Sequence, residues 1–387
     1  MSSTTDRLLT APLVEPGPAL TPERIDRYSR QLMLPGFGDL AQRRLAAARV
    51  LVIGAGGLGT AVAPVLAAAG VGTIGLIDDD VVELSNLHRQ LAHGVADLGR
   101  PKIDSLADAI AAIDPGCRVI RHPERATAAT LPGILAGYDL LVDGSDNFPT
   151  RYLANDAAVL AGVPLVWGAI LRFHGQAGVA WHGHGPTYRD LFPSPPPADE
   201  ALSCELGGVL PTLCTAIGSL LATEVIKLVT GIGEPLLGRV LTYDALTART
   251  REIPYAVSPE TPEITELIDY DLFCGVPDDG DLTALSAAAL ARRLRAGERI
   301  TLLDVREPEE VAARRIPGSI PVPLGDLRAG MPVPGGDPIV VVCERDPRAR
   351  SAARLLAERG HADVVFLAGG IQSYVAVGGE VEGDDIV

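Results

Sequence analysis

The chain has 387 residues, 47% hydrophobic and 21% charged, which predicts two or three globular domains rather than one. Its formal net charge of −16 excludes nucleic acid and anionic membrane as the main partners, because their phosphates would be repelled. Five scattered cysteines without a C-x-x-C exclude a disulfide framework; with no leader-like start and no run of about 18 apolar residues, a cytoplasmic protein is expected.

Residues 1–21, with Pro16, Gly17 and Pro18 and little periodicity, read as a flexible tail. Residues 22–257 alternate apolar strands with Ala-rich helical segments. Segments 49–54, 73–78, 139–144 and 163–168 predict buried parallel strands, and 59–70 and 102–114 the crossover helices. After about residue 170, "GQAGVAWHG" and "GRVLTYDALTARTREIPY" predict antiparallel strands flanking a helix near 209–230. The Pro-rich stretch 184–204 reads as a long crossover loop. Residues 258–281, acidic and Pro-containing, read as a linker. A smaller domain, 282–387, is expected to start with a helix in "LTALSAAALARRLRAG", followed by the strand "ITLLDVR". The fold class is α/β, a Rossmann-like domain followed by a smaller α/β domain.

The stretch "VLVIGAGGLGT" (50–60) sets Gly54, Gly56 and Gly59 in a G-x-G-x-x-G turn between strand and helix, where backbone amides and a helix N-terminus meet phosphate. Asp78 ends the next strand, 19 residues after Gly59, at a place suited to a ribose hydroxyl. Thus far NAD fits as well as ATP. The segment "DDDVVELSNLHRQL" (78–91) then brings Asn86 and Arg89, and Lys102 follows. Cations beside a phosphate turn suit charge building on a triphosphate during attack; hydride transfer would not need them.

Five ordered motifs, "RYSRQ" (27–31), "GAGGLG" (54–59), "DxDxVxxSNLxRQ" (78–90), "GxxK" (99–102) and "DGSDN" (143–147), resemble the ubiquitin-activating-type adenylyltransferases of the MoeB/ThiF family. The resemblance implies that Gly57 approaches the phosphates of ATP and Asp78 holds the ribose. It implies that Asn86, Arg89 and Lys102 neutralise the triphosphate while a carboxylate attacks the α-phosphorus. Asp146 would hold Mg²⁺, with Asn147 in the same loop, and Arg30 would be donated across a homodimer. The implied substrate is the C-terminal Gly-Gly of a small ubiquitin-fold sulfur carrier protein, giving an acyl-adenylate and pyrophosphate.

Cys204 matches a family cysteine that takes part in acyl or persulfide chemistry, whereas Cys117, Cys214 and Cys274 read as spectators. Many family members hold structural zinc with two C-x-x-C pairs. Here the first pair falls on Thr187 and Asp190, and only Cys274 stands near the second, so no structural zinc is expected. His182 and His184 read as surface histidines.

Residues 302–327 and 340–374 resemble a rhodanese, with Arg315 where a histidine is usual. The strand before Cys343 would deliver it to a loop, "CERDPR", closed by Arg348, with a helix beginning near Arg350. Such a loop cradles a thiolate or persulfide with backbone N–H groups. Asp346 stands where glycine is usual, Ala349 where serine is usual, and Pro347 lacks an amide. The resemblance implies adenylation of the carrier followed by sulfur transfer to a thiocarboxylate, with thiosulfate or a cysteine desulfurase as donor. The alternative is an activator for ubiquitin-like conjugation whose rhodanese domain only docks partners.

Overall fold

Residues 11–196, 208–274, 282–333, 338–345, 347–361 and 363–383 are described by the computed structural model. The chain divides into two units, Met1–Val276 and Pro277–Val387. The first contains α1 (Pro22–Arg27), α2 (Ser29–Leu32), α3 (Gly38–Ala47), β1 (Arg49–Ile53), α4 (Gly59–Ala69), β2 (Thr73–Ile77), α5 (Lys102–Ile113) and β3 (Arg118–His122). There follow α6 (Leu131–Leu135), β4 (Leu140–Asp143), α7 (Phe148–Ala161), β5 (Leu165–Leu171), β6 (His174–Ala180) and α8 (Tyr188–Leu191). It closes with α9 (Pro211–Thr230), β7 (Arg239–Asp244), β8 (Arg249–Pro254) and α10 (Tyr270–Phe273).

One sheet runs β3-β2-β1-β4-β5-β6-β7-β8. It is parallel from β3 to β5 and antiparallel from β5 to β8. After Arg49, strand β1 is apolar because both of its faces are covered. Val50 and Val52 join the core that includes Leu66 of α4, Leu106 of α5 and Leu221 of α9, while Leu51 and Ile53 join that of α6, α7 and α8. Helix α9 is long and apolar enough by composition to span a membrane, but here it is a central core helix. It ends at Gly231, whose φ of +75° lets it close the last turn.

Two expectations are corrected at the ends of this unit. Residues 11–21, read as tail, lie along the body: Leu13 N–H donates to Leu228 O, and Arg43 Nε to Gly17 O. Residues 258–274, read as linker, belong to the first unit. Tyr270 and Cys274 are buried in the α7–α8 core, and Asp269 caps α10 through the Leu272 N–H. Acidic, Pro-containing composition hid a segment that spends Leu267, Tyr270, Phe273 and Cys274 on this core while Ile268 and Leu272 stay exposed.

The second unit contains β9 (Thr283–Ser286), α11 (Ala287–Arg295), β10 (Thr301–Asp304), α12 (Pro308–Ala313), β11 (Ile320–Pro321), α13 (Leu324–Arg328), β12 (Ile339–Val342), α14 (Pro347–Glu358), β13 (Val364–Ala368) and α15 (Gly370–Ala376). Its parallel sheet runs β11-β10-β12-β13-β9. Leu303, Val341 and Phe366 face one core and Leu302, Val340 and Leu367 the other. The unit opens with the edge strand β9 rather than with a helix. Ser286, its last residue, caps α11 by accepting the Ala289 N–H.

Candidate functional site

Strand order reverses between β1 and β4, and in open α/β sheets ligands settle beyond the carboxyl ends of the strands at such a switch. Residues 54–59 connect β1 to α4 there. Gly54 has φ +90°, and a Cβ on Gly59 would lie 1.8 Å from Gly54 O, so the backbone closes on itself only because both lack side chains. A Cβ on Gly57 would meet Cys214 Sγ at 2.9 Å. Cys214, expected as a spectator, therefore forms the floor of the turn, its thiol kept protonated by burial.

The turn is tied down from two sides. Asp78 accepts the Ala55 N–H at 2.7 Å and the Asp80 N–H at 2.8 Å. Burial raises its pKa, with Lys102 acting in opposition. Beneath, His93 Nε2 donates to Ala55 O at 3.1 Å, so the unprotonated Nδ1 accepts from Ser105 Oγ at 2.8 Å. Burial lowers the pKa of His93 and keeps the ring neutral in this role.

The polar residues expected at the site gather around this turn. Asn86 is buried and accepts the Glu83 N–H. Arg89 Nη1 donates to Ser85 O at 2.8 Å and has no carboxylate partner among the described residues. Lys102, at the start of α5, pairs with Asp80 at 2.6 Å; the lysine is buried, while the Asp80 side chain is 66% exposed. Gln90, missed in the sequence, lies beside Gly56 with its Oε1 buried and without a hydrogen bond among the described residues. Its signal was its place immediately after Arg89.

The loop after β4 completes the rim. Gly144 packs against Gly54 and Gly59, where a Cβ would lie 3.0 Å from Ile53 O and 3.2 Å from Gly59 N. Two residues on, Asp146 is exposed. Asn147 Oδ1 accepts the Thr150 N–H and so serves as the N-cap of α7, leaving its amide nitrogen for a ligand. Arg151, also missed, holds this loop: it reaches Asp143 Oδ2 at 3.3 Å, Ser145 O at 3.1 Å and Gly168 O at 3.1 Å. A glycine turn, a helix N-terminus, two cations and an exposed carboxylate fit a nucleoside triphosphate with its Mg²⁺.

Arg30 points from α2 into solvent. Its helix is fixed from below by the Tyr28 hydroxyl donating to Asp114 at 2.5 Å and by Gln31 Nε2 donating to Ala69 O. Met33 (73% exposed) and Leu34 follow it within four residues and are exposed, as is Leu40 of α3. Cys204 lies outside the described residues. The thiols of Cys117 and Cys274 are pushed up by burial to about 12 and about 11, which leaves them protonated and unreactive.

In the second unit Cys343 is buried at the end of β12. Gly370 (φ +58°) makes room for its loop: a Cβ there would lie 2.5 Å from Cys343 O and 2.3 Å from Arg345 O. Ile371 N–H donates to Cys343 O and Gln372 N–H to Glu344 O, so carbonyls of the loop are turned toward α15. Helix α14 begins at Pro347, earlier than expected, because proline suits a first helical position. Arg348 thus stands in its first turn, not in the loop. It makes a bidentate pair with Glu310 at 2.6 and 2.7 Å, which holds that carboxyl below its usual range. Arg306 is fully buried between Asp304 and Glu344, and Arg314 also pairs with Glu344. Asp346 lies outside the described residues.

Residues 28–263 match the ThiF family and residues 286–377 the rhodanese-like domain. The chain is 48% identical over 375 residues to a protein of Mycobacterium tuberculosis named probable adenylyltransferase/sulfurtransferase MoeZ, covering 94% of this chain and 96% of that protein. It is 38% identical to the adenylyltransferase and sulfurtransferase MOCS3 of Sus scrofa, over 96% of this chain and 90% of that one. It is 48% identical over 267 residues to the sulfur carrier protein adenylyltransferase of Thermus thermophilus, with 66% of this chain and 98% of the relative covered. Among solved structures, Escherichia coli MccB shares the fold of the first unit, with a TM-score of 0.55 at 22% identity over 61% of this chain and 73% of that one. The chain therefore belongs to the ThiF family, continues into a rhodanese-like domain, and is an enzyme of the adenylyltransferase and sulfurtransferase class.

Proposed function

We propose that the first unit adenylates the C-terminal glycine of a small ubiquitin-fold sulfur carrier ending in Gly-Gly, and that the second then supplies sulfur to give a C-terminal thiocarboxylate. The observation that carries this reading is the pairing in one chain of a glycine turn flanked by Arg89 and Lys102 with a cysteine held at the tip of a parallel strand.

In adenylation the carrier carboxylate attacks the α-phosphorus of ATP and pyrophosphate leaves. The turn at Gly56 and Gly57 and the N-terminus of α4 meet the phosphates, and Asp78 accepts from the ribose hydroxyls. Asn86, Arg89 and Lys102 balance the charge that develops on the departing pyrophosphate. Asp146 would hold Mg²⁺, which would supply positive charge to the phosphates as pyrophosphate departs. Exposed Arg30, beside an apolar strip, suits donation to the partner site of a homodimer.

For sulfur transfer, the Cys343 thiolate attacks the sulfane sulfur of thiosulfate or of a desulfurase persulfide, displacing sulfite or the desulfurase thiolate, and becomes a persulfide. Its terminal sulfur attacks the acyl carbon, AMP leaves, and an acyl disulfide remains. The Cys204 thiolate then attacks the Cys343 sulfur, releasing the thiocarboxylate and leaving a Cys204–Cys343 disulfide. Two electrons from an external thiol restore both cysteines.

The test is ATP–pyrophosphate exchange with a Gly-Gly carrier and with the same carrier lacking those two residues, followed by mass spectrometry of the carrier once a sulfur donor is added. Exchange only with the intact tail, then replacement of one carboxylate oxygen by sulfur, is expected. Exchange without oxygen replacement under any donor would favour conjugation with a docking-only second unit. Absence of exchange would overturn the reading.

A further inference from the structure

The two positions where family members begin their zinc site, Thr187 and Asp190, lie three residues apart before and within α8. After β8 the chain returns to the same place. Asp190 Oδ2 accepts the Thr187 N–H at 2.6 Å and its hydroxyl at 2.9 Å, while Oδ1 accepts the Ser258 N–H at 2.9 Å. Thr261 N–H donates to Ser258 O, and the Thr261 hydroxyl is buried facing Asp190, close enough to favour its ionised form but outside hydrogen-bond geometry. Thr187-x-x-Asp190 and Ser258-x-x-Thr261 thus repeat the C-x-x-C spacing twice, in contact. Ser258 and Thr261 supply the second such spacing after β8, whereas Cys274, which stood near the expected second pair, sits in the core of α7 and α8.

This donor set does not fit zinc. It offers three neutral hydroxyls and one carboxylate, with no thiolate or imidazole, and the carboxylate already accepts three hydrogen bonds from its neighbours. We infer that Asp190 clasps the segment after β8 to the start of the crossover by hydrogen bonds, across two residue pairs that repeat the spacing of the family's paired cysteines. The neighbouring residues of α8 pull the same way. Arg189 makes a bidentate pair with buried Asp156, to which the Tyr270 hydroxyl also donates at 2.7 Å, and Tyr188 N–H donates to Asn155 Oδ1. One short helix therefore fixes both ends of residues 258–274. It is also the last helix described before the segment that carries Cys204, and it would be held there in cells depleted of zinc.

The experiment uses the full chain in two forms. In the first, Thr187→Cys, Asp190→Cys, Ser258→Cys and Thr261→Cys are combined, and metal content is measured with zinc and with cobalt as the optical probe. One equivalent of metal per chain, with the absorption of tetrahedral thiolate-bound cobalt, is expected, along with a melting temperature newly sensitive to a chelator. In the second, Asp190→Asn removes the charge at nearly constant shape, and hydrogen exchange is followed by peptide. Exchange around Ser258 is expected to quicken on the order of tenfold while that of β10 and β12 is unchanged. Stoichiometric zinc in the natural chain, a folded four-cysteine variant that holds no metal, or unchanged exchange at Ser258 in Asp190→Asn would each overturn the inference.

Discussion

Both strand-to-helix turns described above are proposed to receive an anion, yet their surroundings differ in charge. Beside the β1–α4 turn, Arg89 has no carboxylate partner among the described residues, and Lys102 is held by Asp80, a carboxylate that is mostly in solvent. After β12, Arg306, Arg314 and Arg348 are each already paired with an acid. The difference matches the ligands proposed. A triphosphate brings several charges and gains more as it is attacked, so it needs cations not yet neutralised. A persulfide carries one charge and must remain nucleophilic; nucleophilicity falls as the pKa is driven down, so an excess of positive field would weaken it.

The contrast can be broken most completely at Cys343. Cys343→Ala is expected to abolish thiocarboxylate formation in the donor-dependent assay while leaving carrier-dependent pyrophosphate exchange at the natural rate. Next in size, Arg89→Ala or Lys102→Ala should lower exchange by roughly 10²–10³-fold, the scale for losing one charged group aimed at a developing anion. Sulfur transfer from thiosulfate to cyanide should not respond. A parallel fall in both assays would mean that these residues support folding rather than chemistry.

Smaller effects sharpen the comparison. Glu310→Gln frees Arg348 from its carboxylate and should lower the KM for thiosulfate by roughly twofold to fivefold, the range of a partly exposed ion pair. Adenylation should be unaffected, and an unchanged or raised KM would show that Arg348 does not reach the donor. The smallest signal is in acid, where the two sites have opposite signs. The Arg348 hydrogen bond depresses Glu310, so its contribution is full above the unfolded value of about 4.3 and is lost as pH falls through the lower folded value. Burial raises Asp78, so the first unit gains from its protonation as pH falls through that higher value toward about 3.9. Carboxyl titration by NMR in the natural chain, Glu310→Gln and Asp78→Asn checks both directions.

What could be read in the sequence was what backbone and period impose. The buried runs at β1, β2 and β4 and the glycines at 54 and 59 follow from strand burial and from a turn that tolerates no Cβ. His93 and Arg151 could not be read, because their roles depend on the Ala55 carbonyl and the Asp143 loop, which are distant in sequence or defined only once the chain turns. The packing role of Cys214 was hidden for the same reason: a thiol on an apolar helix reveals its neighbour only when α9 is laid against the glycine turn. β9 was hidden by its shortness and mostly exposed residues, and the start of α14 by a proline read as a lost donor rather than as a helix beginning.

The burial of Tyr270 and Cys274 also bears on how two such units came to share one gene. A first unit ending at Pro254 would lose Tyr270 and Cys274 from that core and bare Tyr152, against which Phe273 packs edge to face. An exposed aromatic patch of that kind invites aggregation. A viable junction for gene fusion, or for exchanging one sulfur-handling module for another, therefore lies beyond Cys274 and not at the end of the sheet.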